Sequence, residues 1–344
     1  MDEKKCIIDR RKFLQSTALA AGAFAIAPIQ TACTTTADNK EGVSRSNFGG
    51  VEIGAITYSF RTMPTDAGSI LLYTLTAGLG TLELMGDVAE NYAGRPRAPQ
   101  FGPQVRPGQG QEITPEQREA QAEARRLYNE DVRAWRLSVP MSKYEQLARI
   151  YKMAGVNIHI IKLQPNMNMP DAEIDYVFNV CKAVGAMGVS CELNLEAAKH
   201  IYPFAVKHGK YLLMHNHDQF ADESFQLEPF FELENVRLNF DMGIYYGSTG
   251  KDPREIVEKY HEKIASIHIK DYTGPNSTPP RTNQIWGQGE TPLKEFLLYI
   301  QSNAGKPGWP VHCDIELSYD IPEGSDSVIE VTRSLEYVKS ILVK

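Results

Sequence analysis

The feature that most constrains the fold is an eightfold alternation of strand-like apolar runs with segments of helical periodicity. Apolar runs of this length, bounded by turn residues, are typical of buried strands. They cover residues 51–60, 81–86, 156–164, 188–193, 210–216, 236–241, 264–271 and 311–317. Eight strands that each precede a helix predict a parallel sheet closed into an α/β barrel, the (β/α)8 TIM barrel.

The main alternative is a doubly wound open sheet. Such a sheet usually has a Gly-rich phosphate loop after its first strand, and the sequence TYSFRT at residues 57–62 is not one. The chain has 344 residues, of which 42% are hydrophobic, so it is long enough for a large core. Two domains would fit this length, but an α/β barrel reaches it as one domain. We expect a single barrel over residues 51–344.

One insertion, at about residues 90–138, interrupts the alternation after the second strand. Its first half is rich in Pro, Gly, Gln and Arg, whereas residues 116–135 are charged and have a helical pattern. Loops of this length are usually lids, binding loops or disordered segments. Because the insertion leaves the C-terminal end of a strand, we expect a partial lid over the catalytic face. A merely mobile insertion is the alternative.

The first 33 residues resemble a Tat export signal and not a part of the fold. Arg10 and Arg11 form a twin-arginine pair ahead of an uncharged, apolar stretch of signal-peptide length. The stretch ends at Cys33, which resembles the lipidation site of a bacterial lipoprotein, and residues 34–50 have the composition of a polar tether. A plain signal peptide with Cys33 unmodified is the alternative. Both predict a bacterial protein exported to the periplasm, and lipidation would anchor it to the membrane.

Charge and cysteine content argue against two other classes of protein. The formal net charge is -7 and no Lys/Arg-rich run occurs, so a nucleic-acid-binding surface is not expected. None of the five cysteines forms a CxxC pair. The sequence therefore indicates neither a structural zinc site nor a disulfide framework.

Ionisable residues occur at the end of nearly every predicted strand. The C-terminal ends of barrel strands carry the active site in this architecture. Buried unpaired carboxylates are costly, and a divalent cation would neutralise a ring of them. Mixed carboxylate and imidazole ligands favour Mn²⁺, Co²⁺, Zn²⁺ or Fe²⁺ over Ca²⁺. The residues concerned are Glu83, Lys162, Glu192, His215, His217, Asp241, His268, Lys270 and Glu316.

Five motifs in these regions resemble one enzyme family. The segments MHNHDQF, NFDMG, SIHIKDY, WGQGE and DIELSYD are similar to the sugar phosphate isomerase/epimerase family, the xylose-isomerase-like TIM barrels. The resemblance extends from residue 51 to the C-terminus. In that family a divalent metal is held by Glu, Asp, His and Glu from successive late strands, which implies Asp241, His268 and Glu316 as ligands here. The family's first Glu is His215 in this chain, so either His215 replaces it or Glu192 reaches the metal.

A metal site of this kind predicts proton transfer beside a carbonyl group. A bound cation polarises the carbonyl of a keto-sugar, and a carboxylate or histidine moves the neighbouring proton. The candidate acid/base groups are Glu192, His217 and Glu316. Lys162 is a candidate for stabilising the enolate oxygen, with a structural ion pair as the alternative. The predicted substrate-binding residues are Tyr58, Glu83, Lys270 and Trp286, the last by stacking on the sugar.

An exported enzyme is not expected to meet cytosolic sugar phosphates. We therefore expect a small-molecule carbohydrate substrate without phosphate, and an isomerase or epimerase reaction. A first alternative is a lyase or hydrolase that cleaves 3-keto-glycosides with the same enolising site. A second alternative is a lipid-anchored carbohydrate-binding protein without catalysis.

Overall fold

The barrel predicted from the sequence is confirmed. The computed structural model describes residues 44–99 and 114–343. Each barrel strand pairs in parallel with the next, and β1 pairs with both β2 and β8, which closes the sheet. The eight strands are β1 Val51–Ile56, β2 Thr81–Met85, β3 Asn157–Lys162, β4 Gly188–Cys191, β5 Tyr211–His215, β6 Val236–Asp241, β7 Ile264–Ile269 and β8 His312–Ile315.

Helices connect the strands and cover the barrel. Most bury one apolar face against the sheet, as expected for the outer layer of this fold. The α-helices in the described part of the chain are α1 Ala67–Thr76, α2 Gly86–Ala93, α3 Pro115–Arg136, α4 Ser142–Met153, α5 Asp171–Ala183, α6 Leu195–His208, α7 Glu228–Phe231, α8 Met242–Thr249, α9 Arg254–Tyr260, α10 Leu293–Asn303 and α11 Ser327–Leu342.

The first strand is shorter than the apolar run that predicted it. It ends at Ile56, and residues Thr57–Phe60 form a 3₁₀ turn. The buried Ser59 explains the change of direction, because its hydroxyl donates to the Ile315 carbonyl oxygen at 3.0 Å and accepts from the Leu317 N–H at 3.0 Å. These two bonds tie the end of β1 to the end of β8.

Polar side chains fill part of the barrel interior. His159 Nε2 on β3 lies 2.8 Å from Asp314 Oδ2 on β8, and the Ser266 hydroxyl on β7 donates to the same oxygen at 2.8 Å. The contact between His159 and Asp314 crosses the barrel, so these side chains point inward. Gly54 leaves the room for them, since a Cβ there would lie 2.3 Å from Asp314 Oδ1. Buried polar groups of this kind require their partners.

Residues 44–50 were predicted as tether, but the structure places them against the N-terminal end of the barrel. Ser46 is fully buried; its hydroxyl donates to the Ile53 carbonyl oxygen at 2.6 Å and accepts from the Gly80 N–H at 2.9 Å. The short strand Asn47–Phe48 pairs antiparallel with the start of β1. Backbone pairing orders the segment. Because backbone pairing requires no apolar periodicity, the sequence pattern did not reveal it.

The export and lipidation predictions concern residues 1–33, including Cys33. These residues lie outside the part of the chain that the structure describes. Within the described ranges, no helix is both long enough and apolar enough to cross a membrane. Cys181, Cys191 and Cys313 are free and buried. Burial raises the pKa of all three thiols.

The predicted helix of the insertion exists as α3, and its C-terminal end is fastened to the outer ring. Arg136 Nε lies 2.8 Å from Glu90 Oε1 on α2, and its Nη1 lies 2.6 Å from Glu173 Oε1 on α5. Both carboxylates are nearly fully buried. Residues 100–113 of the insertion lie outside the described ranges, so the lid remains a prediction.

We expect Arg136→Ala to destabilise the protein by about 2 kcal/mol, because it removes charged hydrogen bonds from two buried carboxylates that keep Arg95 and Arg133 as partners. The free energy of unfolding from urea titration measures the effect. Arg126→Ala is the matched control on the same helix, since its ion pairs with Glu123 and Glu130 are exposed. Such pairs contribute about 0.3–0.5 kcal/mol. Equal losses for the two variants would contradict the proposed anchor.

Candidate active site

The predicted ring of ionisable residues surrounds a cavity at the C-terminal mouth of the barrel. The cavity has a volume of about 330 Å³, which is at the low end for small-molecule sites of about 300–1,000 Å³. Its polar lining includes seven of the residues predicted from the sequence, together with four further polar residues that the sequence did not single out. The first set is Tyr58, Lys162, Glu192, His215, His217, Lys270 and Glu316, and the second is Arg61, Tyr272, Asn283 and Ser318.

Four of the predicted metal ligands come together at the base of this cavity. His215, Asp241, His268 and Glu316 each offer a ligand atom, and these atoms all lie within 4.8 Å of one another. Glu192 belongs to a separate group with His215 and His217. Of the two alternatives left open by the sequence, the geometry therefore groups His215, and not Glu192, with the three other predicted ligands.

His215 has the chemical state that a metal ligand requires. Its Nδ1 is buried and has no hydrogen-bond partner among the described residues. Burial, reinforced by the positive charges of Lys162 and His268, holds the pKa of His215 well below its usual value. A neutral imidazole with a free nitrogen is the form that binds divalent metals.

Asp241 is held in place by two features of its local sequence. Its Oδ1 accepts from the Ile244 N–H at 2.8 Å and so caps the N-terminus of α8. The fully buried Asn216 accepts from the Asp241 N–H at 2.8 Å and donates to the Asp241 carbonyl oxygen at 3.1 Å. Asn216, which separates the paired histidines His215 and His217, thus joins the ends of β5 and β6.

His268 lies between two carboxylates, one on each ring nitrogen. Nδ1 is 2.6 Å from Glu316 Oε2, and Nε2 is 2.8 Å from Glu83 Oε2. Burial lowers the pKa of His268, but the charges of Glu83 and Glu316 outweigh it and raise the value to about 10. Glu83 was predicted to bind substrate, but it is fully buried beneath His268 and does not line the cavity. Its side chain reaches across the barrel and orients an imidazole.

Lys270 lies among the same carboxylates. Its Nζ is 2.7 Å from Asp241 Oδ2 and 3.1 Å from Glu316 Oε2. Burial lowers the pKa of Lys270, but both negative charges outweigh it and the pKa lies above its usual value. A metal ion held by Asp241 and Glu316 would share these two carboxylates with the Lys270 ammonium group. Lys270 also lines the cavity.

The donor set fits a divalent transition metal. Two imidazoles and two carboxylates suit Mn²⁺, Fe²⁺, Co²⁺ or Zn²⁺. A cation bound by His268 would displace the proton that the raised pKa of His268 keeps on its ring. The unpartnered Nδ1 of the buried His215 faces no protein donor in the described part of the chain, which is costly unless a ligand satisfies it. The Glu83–His268 contact is the arrangement in which a carboxylate fixes the ring of a metal-binding histidine.

Glu192 is the most exposed carboxylate of the mouth and lies beside the metal-ligand group. Its Oε1 accepts from Lys162 Nζ at 2.8 Å and faces His217 Nε2 at 3.4 Å, while Oε2 accepts from Gln164. Partial burial raises the pKa of Glu192, but the hydrogen bond from His217 and the charge of Lys162 outweigh it and hold the pKa well below its usual value. Glu192 is therefore an ionised carboxylate at the mouth of the barrel.

Trp286 was predicted to stack on the sugar, but it does not line the cavity. It is 8% exposed, and its ring lies edge-on to Tyr337 of α11 with the centroids 6.0 Å apart. The loop takes this path because the Gly287 and Gly289 N–H groups donate to Asp271 Oδ2 at 2.8 and 2.9 Å. Gly287 has φ +85°, a conformation that favours glycine.

Tyr58, unlike Trp286, lines the cavity and is 43% exposed.

A second cavity of about 740 Å³ shares one lining residue, Glu192, with the first. It lies between the loop that follows β4, at residues 192–195, and the segment that follows β5, at residues 219–230. We call it the β4–β5 groove. Its apolar lining consists of Leu193, Leu195, Phe225, Pro229 and Phe230.

We expect Glu83→Gln to weaken metal binding about 10- to 100-fold, the usual cost of removing the carboxylate that supports a metal-binding histidine. Competition with a chromophoric chelator measures the dissociation constant for Mn²⁺. Glu330→Gln is the matched control, since Glu330 is also a fully buried carboxylate but bonds Tyr319 at 2.9 Å, away from the mouth. Unchanged Mn²⁺ affinity in Glu83→Gln would contradict the role given to Glu83.

Solved structures with the same fold are xylose-isomerase-like TIM barrels. The probable 3-DHS dehydratase AsbF from Bacillus anthracis is 14% identical with a TM-score of 0.55, and the match covers 84% of this chain and 98% of that one. A sugar phosphate isomerase/epimerase from Parabacteroides distasonis is 17% identical with a TM-score of 0.52, covering 87% and 97%. A xylose isomerase-like TIM barrel protein from Mycobacterium smegmatis in complex with magnesium is 13% identical with a TM-score of 0.50, covering 87% and 98%.

These similarities establish the fold at low sequence identity. No protein-family model matches the chain, and no curated protein sequence matches it. The resemblance inferred from the motifs is thus confirmed at the level of the fold, the xylose-isomerase-like barrel.

Proposed function

We propose that the protein is a metal-dependent enzyme that transfers a proton beside the carbonyl group of a sugar without phosphate, as an isomerase or epimerase. The observation that carries the proposal is the convergence of two groups on one cavity. His215, Asp241, His268 and Glu316 form the metal-ligand group, and Glu192 with His217 forms an acid/base pair next to it.

The metal-ligand group would hold one divalent cation, which when bound polarises the substrate carbonyl. The other side chains then have separate tasks. Glu192 is ionised and lines the cavity, so it is the side chain that receives the proton from the carbon beside the carbonyl. Lys162 donates to Glu192 Oε1 and holds the carboxylate towards the cavity. The Lys162 ammonium also supplies positive charge where an enolate oxygen would develop.

Similar proteins support a sugar as the substrate class. One structural neighbour is named a sugar phosphate isomerase/epimerase, and another is named L-ribulose 3-epimerase. A substrate without phosphate is supported by the export-like N-terminal sequence. In the cavity, both lining lysines are ion-paired with carboxylates, and the lining Arg61 donates to the Leu317 carbonyl oxygen.

Elimination from a keto-glycoside is the second candidate, and the β4–β5 groove favours it. Removal of the proton leaves an electron pair on carbon. In epimerisation that carbon regains a proton. In elimination the pair forms a carbon–carbon double bond, the bond to the glycosidic oxygen breaks with its electrons, and that oxygen takes up a proton to leave as an alcohol. The groove offers room for such an alcohol next to Glu192.

The test is hydrogen exchange in D₂O, followed by proton NMR. The full-length protein loaded with Mn²⁺ is incubated with free ketoses and with methyl 3-keto-glucoside, and a chelator-treated sample is the control. Deuterium beside the carbonyl, dependent on the metal, supports the proposal, and the product distinguishes isomerisation from epimerisation. Release of methanol moves the assignment to elimination. Absence of exchange and cleavage with every sugar overturns the proposal.

A further inference from the structure

The residues one layer below the metal-ligand group are polar. Asn239, Ser266 and Asp314 each precede a member of that group by two residues. Because side chains two positions apart share one face of a strand, these three lie inside the barrel, one layer deeper than the group. All three are fully buried. Bulky branched apolar side chains usually fill the interior layers of this fold, so packing does not account for a polar layer here.

Two buried carboxylates in this part of the barrel use only one oxygen each for hydrogen bonds. Glu83 Oε2 accepts from Asn239 Nδ2 at 2.7 Å and lies 2.8 Å from His268 Nε2. Asp314 Oδ2 accepts from the Ser266 hydroxyl at 2.8 Å and also has the histidine contact that crosses the barrel. The other two oxygens, Glu83 Oε1 and Asp314 Oδ1, have no hydrogen-bond partner among the described residues, although buried acceptors normally have one.

A third acceptor without a partner belongs to Asn239. Its Nδ2 bond to Glu83 places the amide beside that carboxylate, and its Oδ1 is buried without a partner in the described part of the chain. Carboxylate oxygens of Glu83 and Asp314 and a ring nitrogen of His268 lie within 4.8 Å of one another. Both nitrogens of His268 already contact carboxylates, so the atoms that need a partner are oxygens. We call Glu83, Asn239 and Asp314 the inner cluster.

Three such oxygens cannot satisfy one another, because carboxylate and amide oxygens accept hydrogen bonds and do not donate them. A single water molecule has two hydrogens and would leave one oxygen without a partner, whereas one cation can contact all three. Ca²⁺ binds oxygen at about 2.3–2.6 Å, so two oxygens on opposite sides of the ion lie about 5 Å apart. The 4.8 Å limit for Glu83 and Asp314 fits this span. Oxygen ligands alone suit hard cations, whereas imidazole ligands suit transition metals.

We propose that the inner cluster binds one hard s-block cation, Na⁺, K⁺, Mg²⁺ or Ca²⁺, through oxygen atoms only. This is a second site, below the transition-metal site at the mouth of the barrel and different from it in ligand chemistry. The cation offsets the repulsion between Glu83 and Asp314 and holds Glu83 against His268. Its role is structural, so the proposal does not depend on the reaction that the mouth carries out.

The first measurement is thermal unfolding of the full-length Asp241→Asn variant after chelator treatment, followed by circular dichroism. This variant lacks a ligand of the mouth site, so a response to cations arises elsewhere. The chlorides of Na⁺, K⁺, Mg²⁺ and Ca²⁺ are compared at equal ionic strength with tetramethylammonium chloride, whose cation is too large for the inner cluster. We expect one of the four to raise the unfolding midpoint by about 5 °C at roughly 100 times its dissociation constant. The double variant Asp241→Asn/Asp314→Asn should lose this shift.

Absence of a shift with all four cations in Asp241→Asn, or the same shift in the double variant, overturns the inner site. If the double variant does not fold, a crystal of the unsubstituted protein grown with the responsive cation decides. K⁺ and Ca²⁺ are identified by long-wavelength anomalous diffraction, and Na⁺ and Mg²⁺ by oxygen distances shorter than hydrogen bonds. A cation bound by Glu83, Asn239 and Asp314 supports the proposal. Ordered water alone between these residues overturns it.

Discussion

Glu192→Gln is expected to lower the rate of proton transfer about 10²- to 10⁴-fold, the usual contribution of a general base. The substitution keeps the size of the side chain and removes the group that accepts the proton. Metal binding should be nearly unchanged, because Glu192 lies outside the group of His215, Asp241, His268 and Glu316. Exchange rates in D₂O and the Mn²⁺ dissociation constant measure the two effects separately.

The matched control is Glu196→Gln, an exposed glutamate in the first turn of α6, four residues further along the chain. Its exchange rate should equal that of the unsubstituted protein. A large loss of Mn²⁺ affinity in Glu192→Gln would contradict the account, because it would make Glu192 a ligand. Full activity in Glu192→Gln would remove it from the role of base.

Asp241→Asn is expected to lose metal binding and, with it, activity, while the barrel remains folded. Asparagine caps helices as well as aspartate does, so the bond to the Ile244 N–H is retained. The substitution removes the negative charge of Asp241 from the metal-ligand group, and a neutral amide is a much weaker ligand for transition metals. Elemental analysis after gel filtration gives the metal content, and circular dichroism reports the fold.

Asp326→Asn provides the control for the capping role. Asp326 accepts from the Ile329 N–H at 2.9 Å at the N-terminus of α11, so the same change is made at a helix cap outside the metal-ligand group. This variant should keep its metal and its activity. Stoichiometric metal in Asp241→Asn would show that Asp241 is not a ligand.

The barrel and the position of the site could be predicted because both depend on local pattern. Apolar runs define strands, and the residue that ends each strand must lie at the mouth of a parallel barrel. This placed His215, Asp241 and Glu316 on one face before any distance was known. Periodicity along β7 placed His268 with its side chain towards the same mouth.

The errors come from features that depend on register and loop path. Glu83 was predicted to contact substrate, but the pairing of β2 with β3 shifts register between Leu82 and Glu83. The Glu83 side chain is fully buried and contacts His268. Trp286 lies against Tyr337 because backbone N–H groups of its loop bind Asp271. The sequence contains neither the register nor the loop path in a form that local pattern reveals.

The most direct test of the central claim is to locate the metal by anomalous diffraction at the manganese edge, on a crystal grown with Mn²⁺. The account predicts one strong peak at bonding distance, about 2.0–2.3 Å, from a ligand atom of each of four residues. These are His215, Asp241, His268 and Glu316. A peak held by Glu192, His215 and His217, or no peak at the mouth of the barrel, would contradict it.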